Sequence, residues 1–168
     1  MIPHCPSQYS IPSIFSSGTA VQKAIIPTAY KTQGNTANDW AIFVVQDDIG
    51  SENGTWQLLI TTPNLSSRVD ILGYTGNLNG MWHSYGLIIQ NSVSGVIKYT
   101  CDTSGGNSGS PVYTQTTSNG VPTYKVVAIH SGGFEPEDQW DTRTPYNIGP
   151  LINRFITTEV NRLNALYS

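Results

Sequence analysis

Short apolar runs, many of them alternating with polar residues, recur along this chain between stretches rich in Gly, Pro, Asn, Asp and Ser. Residues 21–26, 40–45, 56–61, 69–74, 81–90, 96–100, 111–115 and 124–130 each read as a strand, because strand side chains alternate between two faces. Residues 35–38, 47–54, 74–80, 104–110 and 116–121 concentrate turn formers and read as turns or loops. Many short strands at this spacing predict an all-β sandwich or barrel. After Asn147-Ile148-Gly149-Pro150 the period changes: Leu151, Ile152, Phe155, Ile156, Val160, Leu163 and Leu166 follow helical spacing, with Asn153, Arg154, Glu159, Asn161 and Arg162 between them. Pro150 suits a first helical turn. One amphipathic helix over 148–168, docked on the β core, is therefore expected.

The 168 residues suffice for one domain with a real core. Only 11% of them are charged, against about 25% in an average domain, and Ser, Thr, Asn and Gly take the surface instead. The net charge is −3 and the Lys and Arg residues are scattered, so no basic stripe invites nucleic acid. No apolar run approaches the roughly 20 residues that cross a bilayer, so no membrane association is expected. No group of His, Cys, Asp and Glu has metal-ligand spacing, and neither a metal nor another cofactor is expected. The chain opens Met1-Ile2-Pro3-His4-Cys5, with no basic segment and no apolar core of a signal peptide. The low charge and the sequons at Asn53 and Asn64 still fit a secreted protein. Cys5 and Cys101 could pair, and the sequence leaves that open.

The candidate chemistry sits in Thr100-Cys101-Asp102-Thr103-Ser104-Gly105-Gly106-Asn107-Ser108-Gly109-Ser110-Pro111-Val112. A serine hydroxyl attacks well only when the backbone presents it and a base takes its proton. Flanking glycines allow backbone N–H groups close to a developing oxyanion. The competing reading is a Gly/Ser turn between strands. A base must come from His4, His83 or His130. Asp39 enters the apolar run Trp40-Ala41-Ile42-Phe43-Val44-Val45, where a carboxylate is costly unless something pairs with it.

Gly105-Gly106-Asn107-Ser108-Gly109-Ser110-Pro111-Val112 resembles the nucleophile turn of chymotrypsin-like serine peptidases, above all the bacterial glutamyl endopeptidase (V8-like) branch. Asn38-Asp39-Trp40-Ala41-Ile42 resembles that branch's catalytic aspartate motif, and His4-Cys5 the end of its histidine motif. Val126-Val127-Ala128-Ile129-His130-Ser131-Gly132-Gly133 is similar to its pocket-wall strand, and Gly73-Tyr74-Thr75-Gly76 with Met81-Trp82 also fits the branch. The resemblance implies a chymotrypsin-like double β-barrel with a C-terminal helix. Residues 1–60 would be what remains of an N-terminal barrel, 61–147 a C-terminal barrel and 148–168 the helix. It implies that the chain is truncated before His4, with the partner expected for Cys5 in the absent segment. It implies a monomeric, secreted serine endopeptidase acting on protein or peptide substrates. In it Ser108 is nucleophile, His4 base and Asp39 the orienting acid, and the Gly106 and Ser108 N–H groups form the oxyanion hole. Thr103, His130 and Ser131 would bind the substrate, with Thr103 and His130 donating to the carboxylate of a Glu or Asp side chain. Asp102 stands where trypsins hold the acid that selects Lys or Arg, so a basic-residue-specific peptidase stays open, with the expectation that Asp102 points away. His83 matches no motif; it reads as an ordinary strand residue and as a reserve base. A catalytically impaired truncated homologue and a secreted carbohydrate-binding β module using Trp40, Trp56, Trp82 and Trp140 are the other readings.

Overall fold

A computed structural model describes residues 20–46, 48–76, 78, 80–90, 94–134 and 145–167. His4, Cys5 and Trp140 lie outside the described residues. Strands β1 (Val21–Ile25) and β2 (Ile42–Val45) pair antiparallel as a separate two-stranded sheet. Between them lie a short helix α1 (Thr28–Gln33) and a 3-10 turn over Thr36–Asn38. Val21 and Phe43 are both more than half exposed, so this ribbon encloses no core of its own. The adjoining Trp40 anchors it, because that indole is buried in a cluster with Val126, Ile152 and Ile156, with Ile42 packed alongside. The expected N-terminal barrel is thus a ribbon clipped to the rest of the molecule among the described residues.

The remaining strands form one sheet. They are β3 (Gln57–Leu58), β4 (Arg68–Tyr74), β5 (Met81–Gln90), β6 (Val96–Tyr99), β7 (Pro111–Ser118), β8 (Val121–Ile129), β9 (Gly132–Phe134) and β10 (Tyr146–Pro150), in the order β3-β8-β7-β4-β5-β6-β10-β9. The sheet curls on itself. Leu151, just past β10, bridges Ala128 of β8, and Ile152 N–H donates to the Val127 carbonyl at 2.8 Å. Two contacts on that seam make a nearly closed ring rather than a continuous barrel. Inside it lie Val69, Ile71, Ile88, Ile97, Tyr99, Cys101, Val112 and Val127. Each such aliphatic side chain contributes roughly 1.5–3 kcal/mol on burial. Together with the C-terminal helix, this is the all-β architecture anticipated from the alternating runs.

Several local expectations are corrected. Residues 47–54 are not all loop, because Asp48 accepts from Ser51 N–H at 3.2 Å and starts helix α2 (Ile49–Asn53). The loop expected at 116–121 contracts to Asn119 and Gly120, whose φ values of 51° and 78° are those a two-residue hairpin turn demands. Pro150 ends a strand and does not start a helix, since Ile148, Gly149 and Pro150 pair with Lys98, Ile97 and Val96. The helix begins later, as α3 (Arg154–Tyr167), where Asn153 Oδ1 accepts from Ile156 N–H at 3.0 Å. It docks through Ile156, Val160 and Leu163, while Phe155 and Leu166 of the expected apolar stripe stay exposed. No helix among the described residues is long and apolar enough to cross a membrane.

Candidate functional site

The glycine-rich turn joins the end of β6 to the start of β7 and is laced to its neighbours. Asn107 N–H donates to Ser104 O at 3.2 Å and Ser110 N–H to Asn107 O at 3.0 Å. Gly109 N–H donates to His130 O at 2.8 Å, and His130 N–H returns to Ser110 O at 2.9 Å, which zips the turn to the end of β8. Gly106 has φ +104°, and a Cβ there would stand 2.7 Å from Gly76 N. Only glycine satisfies both the left-handed conformation and that approach. The N–H groups of Gly106 and Ser108 have no hydrogen-bond partner among the described residues, whereas those of Asn107, Gly109 and Ser110 are all engaged. These two donors, and that of Gly105, are therefore left over among the described residues.

Ser108 is exposed and its Oγ donates to the Ser131 carbonyl at 3.3 Å. Ser131 Oγ in turn donates to Asp39 Oδ2 in a short hydrogen bond. Asp39 is held at the end of the 3-10 turn, where its N–H donates to Thr36 O at 3.1 Å and Asn35 caps the turn through Asn38 N–H, also at 3.1 Å. The Asp39 carboxylate charge pushes the phenol of Tyr30, on α1, above its ordinary value. The structure thus brings Asp39 and Ser108 to either side of Ser131. The hydroxyl of Ser131, one of the expected substrate-binding residues, is committed to Asp39.

His130 is 4% exposed, and its Nδ1 lies 2.7 Å from the hydroxyl of the fully buried Tyr99. A buried phenol needs an acceptor for its proton. With Tyr99 donating to Nδ1, the neutral ring carries its hydrogen on Nε2. Burial pushes the imidazole below its ordinary value, so the neutral form is the folded one. An unfolded imidazole takes a proton near pH 6.5 that the folded one refuses. The resulting stability is present above that pH and lost as pH falls through the folded value. Urea midpoints should therefore decline below about pH 6.5. The decline should be shallower in His130→Gln, and an identical pH profile in the two proteins would contradict this account.

Thr103 Oγ1 donates to Asn147 Oδ1 at 2.7 Å, and Asn147 Nδ2 donates to Cys101 O at 2.5 Å. The buried Asn147 on β10 therefore fixes the segment leading into the turn. Asp102 N–H donates to Ser84 Oγ at 2.8 Å, and Asp102 and Thr103 both border a cavity shared with β5. His83 is more than an ordinary strand residue. Its Nε2 lies 2.8 Å from Asp70 Oδ1, and the same carboxylate receives Arg68 Nε at 3.1 Å and Nη2 at 2.7 Å. Burial raises the Asp70 carboxyl, but the bonds from Arg68 and His83 outweigh that and hold it below the usual range. Cys101 is a free thiol, donating to Val69 O at 3.5 Å and pushed up by burial to about 12. Among the described residues no cluster could hold a metal ion.

The sequence reading did not find Tyr99, Asn147 or Tyr30. Tyr99 had a signal: it shares the inward face of β6 with Ile97, and a phenol in a core asks for a partner. Tyr30 and Asn147 carried none.

No protein-family model matches the chain. It is similar to the glutamyl endopeptidase of Bacillus licheniformis, 34% identical over 113 residues, which are 64% of this chain and 35% of that protein. It is also similar to the glutamyl endopeptidase of Staphylococcus epidermidis, 32% identical over 99 residues, which are 57% of this chain and 29% of that protein. The chain thus spans about a third of the length of the curated relatives it matches. A solved structure of a Glu endopeptidase in complex with MPD superposes with a TM-score of 0.69 over 88% of this chain and 64% of the other, at 22% identity. That likeness shows the fold. With the sequence relatives, it makes this chain a homologue of the bacterial glutamyl endopeptidases, built on the chymotrypsin-like serine peptidase fold of the V8-like branch.

Proposed function

We propose that this chain is a secreted serine endopeptidase that hydrolyses peptide bonds after Glu, or Asp, in protein or peptide substrates. The observation that carries the reading is the link Asp39–Ser131–Ser108, with the Gly106 and Ser108 N–H groups left over in the turn. In this reading Ser108 Oγ attacks the scissile carbonyl and its proton passes to the imidazole of His4. The two free N–H groups receive the oxyanion. The C–N bond then breaks as the amine takes the proton from His4, and water hydrolyses the acyl-Ser108 ester by the same route. Asp39 orients and stabilises the imidazolium. The Nε2 hydrogen of His130 supports acidic specificity, because it is a donor in a neutral ring and suits a carboxylate. Thr103, held by Asn147, lines the same reading.

A second reading, the same fold without turnover, is favoured by the exposure of Val21 and Phe43 on the two-stranded ribbon that follows His4 in the chain.

Two measurements decide. A fluorophosphonate probe should form one covalent adduct per chain. Three reporter peptides differing only in Glu, Gln or Lys before the scissile bond should be ranked with Glu first. A charge-assisted hydrogen bond of about 1.5–3 kcal/mol predicts a Glu over Gln preference of roughly 10–100-fold. Neither adduct nor cleavage would establish the second reading. Cleavage after Lys would overturn the specificity alone.

A further inference from the structure

β4 and β7 pair only at Asp70–Tyr113 and Ile71–Val112. Beyond Tyr113, β7 pairs with β8 alone, as far as Ser118 opposite Val121. The start of β4 stays with β5 instead: Arg68 pairs with Leu87, and Ser66 N–H donates to Ile88 O at 2.8 Å. The sheet therefore splits, and among the described residues the β4 side of β7 is an open strand edge from Thr114 to Ser118. Gln115, Thr116 and Thr117 are exposed along it. Such an edge presents unpaired N–H and C=O groups and invites another strand, and proteins commonly blunt it with charge or proline. Residues 114–118 carry neither.

A cavity of about 300 Å³ lies in the split, lined by Arg68, Asp70, Gln115 and Thr117. The Asp70 side chain is 5% exposed and that of Arg68 58%. Asp70 receives Nε and Nη2 of Arg68, at 3.1 and 2.7 Å, and the guanidinium carbon lies 4.4 Å from the Tyr85 ring centroid. The fork is thus held on one edge and one face, while Nη1 has no partner among the described residues. A guanidinium fixed in this way, with donors to spare, suits a carboxylate. The hairpin from Pro111 to Val126 contains Lys125 and no Asp or Glu, so the arm offers Arg68 no carboxylate of its own. Residues 1–19 also lack Asp and Glu.

We propose that the open edge of β7 binds the C-terminal tail of a partner protein as an added strand, with the tail's α-carboxylate on Arg68. The split is blind. It closes where Asp70 meets Tyr113, so a strand laid along β7 ends at Arg68. What ends there is a chain terminus, and the guanidinium selects the negative one. β7 leaves the split as it runs from Tyr113 to Ser118, so a tail with its C-terminus inward is antiparallel to it. Main-chain bonds supply the affinity, and Gln115 and Thr117 meet the tail's side chains. This docking role is separate from Ser108 and does not rest on peptidase activity.

The probe is the peptide Thr-Val-Thr-Val-Val with an N-terminal fluorophore. It has no Glu or Asp, so the proposed peptidase activity leaves it intact. Its anisotropy, titrated with the full chain, is expected to saturate. The same peptide as its C-terminal amide should bind at least about 10-fold less tightly. Gln115→Glu is an exposed substitution that puts a rival carboxylate in the cavity with Arg68. It should weaken binding about 10-fold at unchanged melting temperature. Arg68→Gln should weaken it similarly; should that variant fail to fold, Gln115→Glu and the amide decide. Bound peptide should slow amide hydrogen exchange at 114–118. No saturable binding, equal binding of acid and amide, or indifference to Gln115→Glu would overturn the proposal. Exchange protection at 114–118 that rises with protein concentration alone would assign the edge to a second copy of the chain and overturn it as well.

Discussion

Turnover of a Glu reporter peptide should fall by roughly 10⁴–10⁶-fold in Ser108→Ala, with the melting temperature unchanged. The two halves of that expectation have different origins. The catalytic loss follows from removing the hydroxyl that forms the acyl bond in this reading. Residual catalysis would come from the left-over N–H groups of Gly106 and Ser108, which the substitution spares. The unchanged stability follows from exposure. Ser108 Oγ makes one hydrogen bond, at 3.3 Å, and the turn is held by backbone bonds among Ser104, Asn107, Gly109, Ser110 and His130. Steady-state kinetics and a thermal melt on the same preparations check both. A variant that keeps a hundredth of the activity would remove Ser108 from the nucleophile role.

The second large effect is expected at Asp39. Asp39→Asn should lower kcat by about 10⁴-fold and leave KM within a few-fold. As a carboxylate, Asp39 accepts from Ser131 Oγ and can take a further donor from an imidazole. An amide keeps one oxygen and turns an NH₂ group toward the rest. Either a hydroxyl loses its acceptor or an imidazole N–H meets another donor, which selects the wrong tautomer. The substrate does not touch Asp39 in this reading, so binding should hardly change. A loss confined to KM would place Asp39 in substrate binding and sink its orienting role.

Much of the fold was legible because it is local. β4 and β5 run almost where the alternating pattern puts them, and β7 and β8 extend that pattern to a two-residue Asn119-Gly120 turn. The errors also have local causes. Asp48 and Gly50 look like turn formers, yet an aspartate before a single helical turn serves as its cap. Ile148-Gly149-Pro150 looks like a helix start because Leu151 and Ile152 continue the helical spacing, but pairing with β6 overrides propensity there. β9 is three residues, too short for any periodicity to register.

The sequence by itself determined the nucleophile turn. Gly106 and Gly109 supply the positive φ values, Ser108 stands between them, and those preferences belong to single residues and their immediate neighbours. It also determined which strands have an inward face, because that is a period of two. Tertiary structure alone decided what each polar group meets. Ser131 reaches Asp39 across 92 residues, His130 finds Tyr99 across 31 and Thr103 finds Asn147 across 44. Hydrogen bonds are short and directional, so a partner is set by strand register and the curl of the sheet, and neither is written in the residues around the donor.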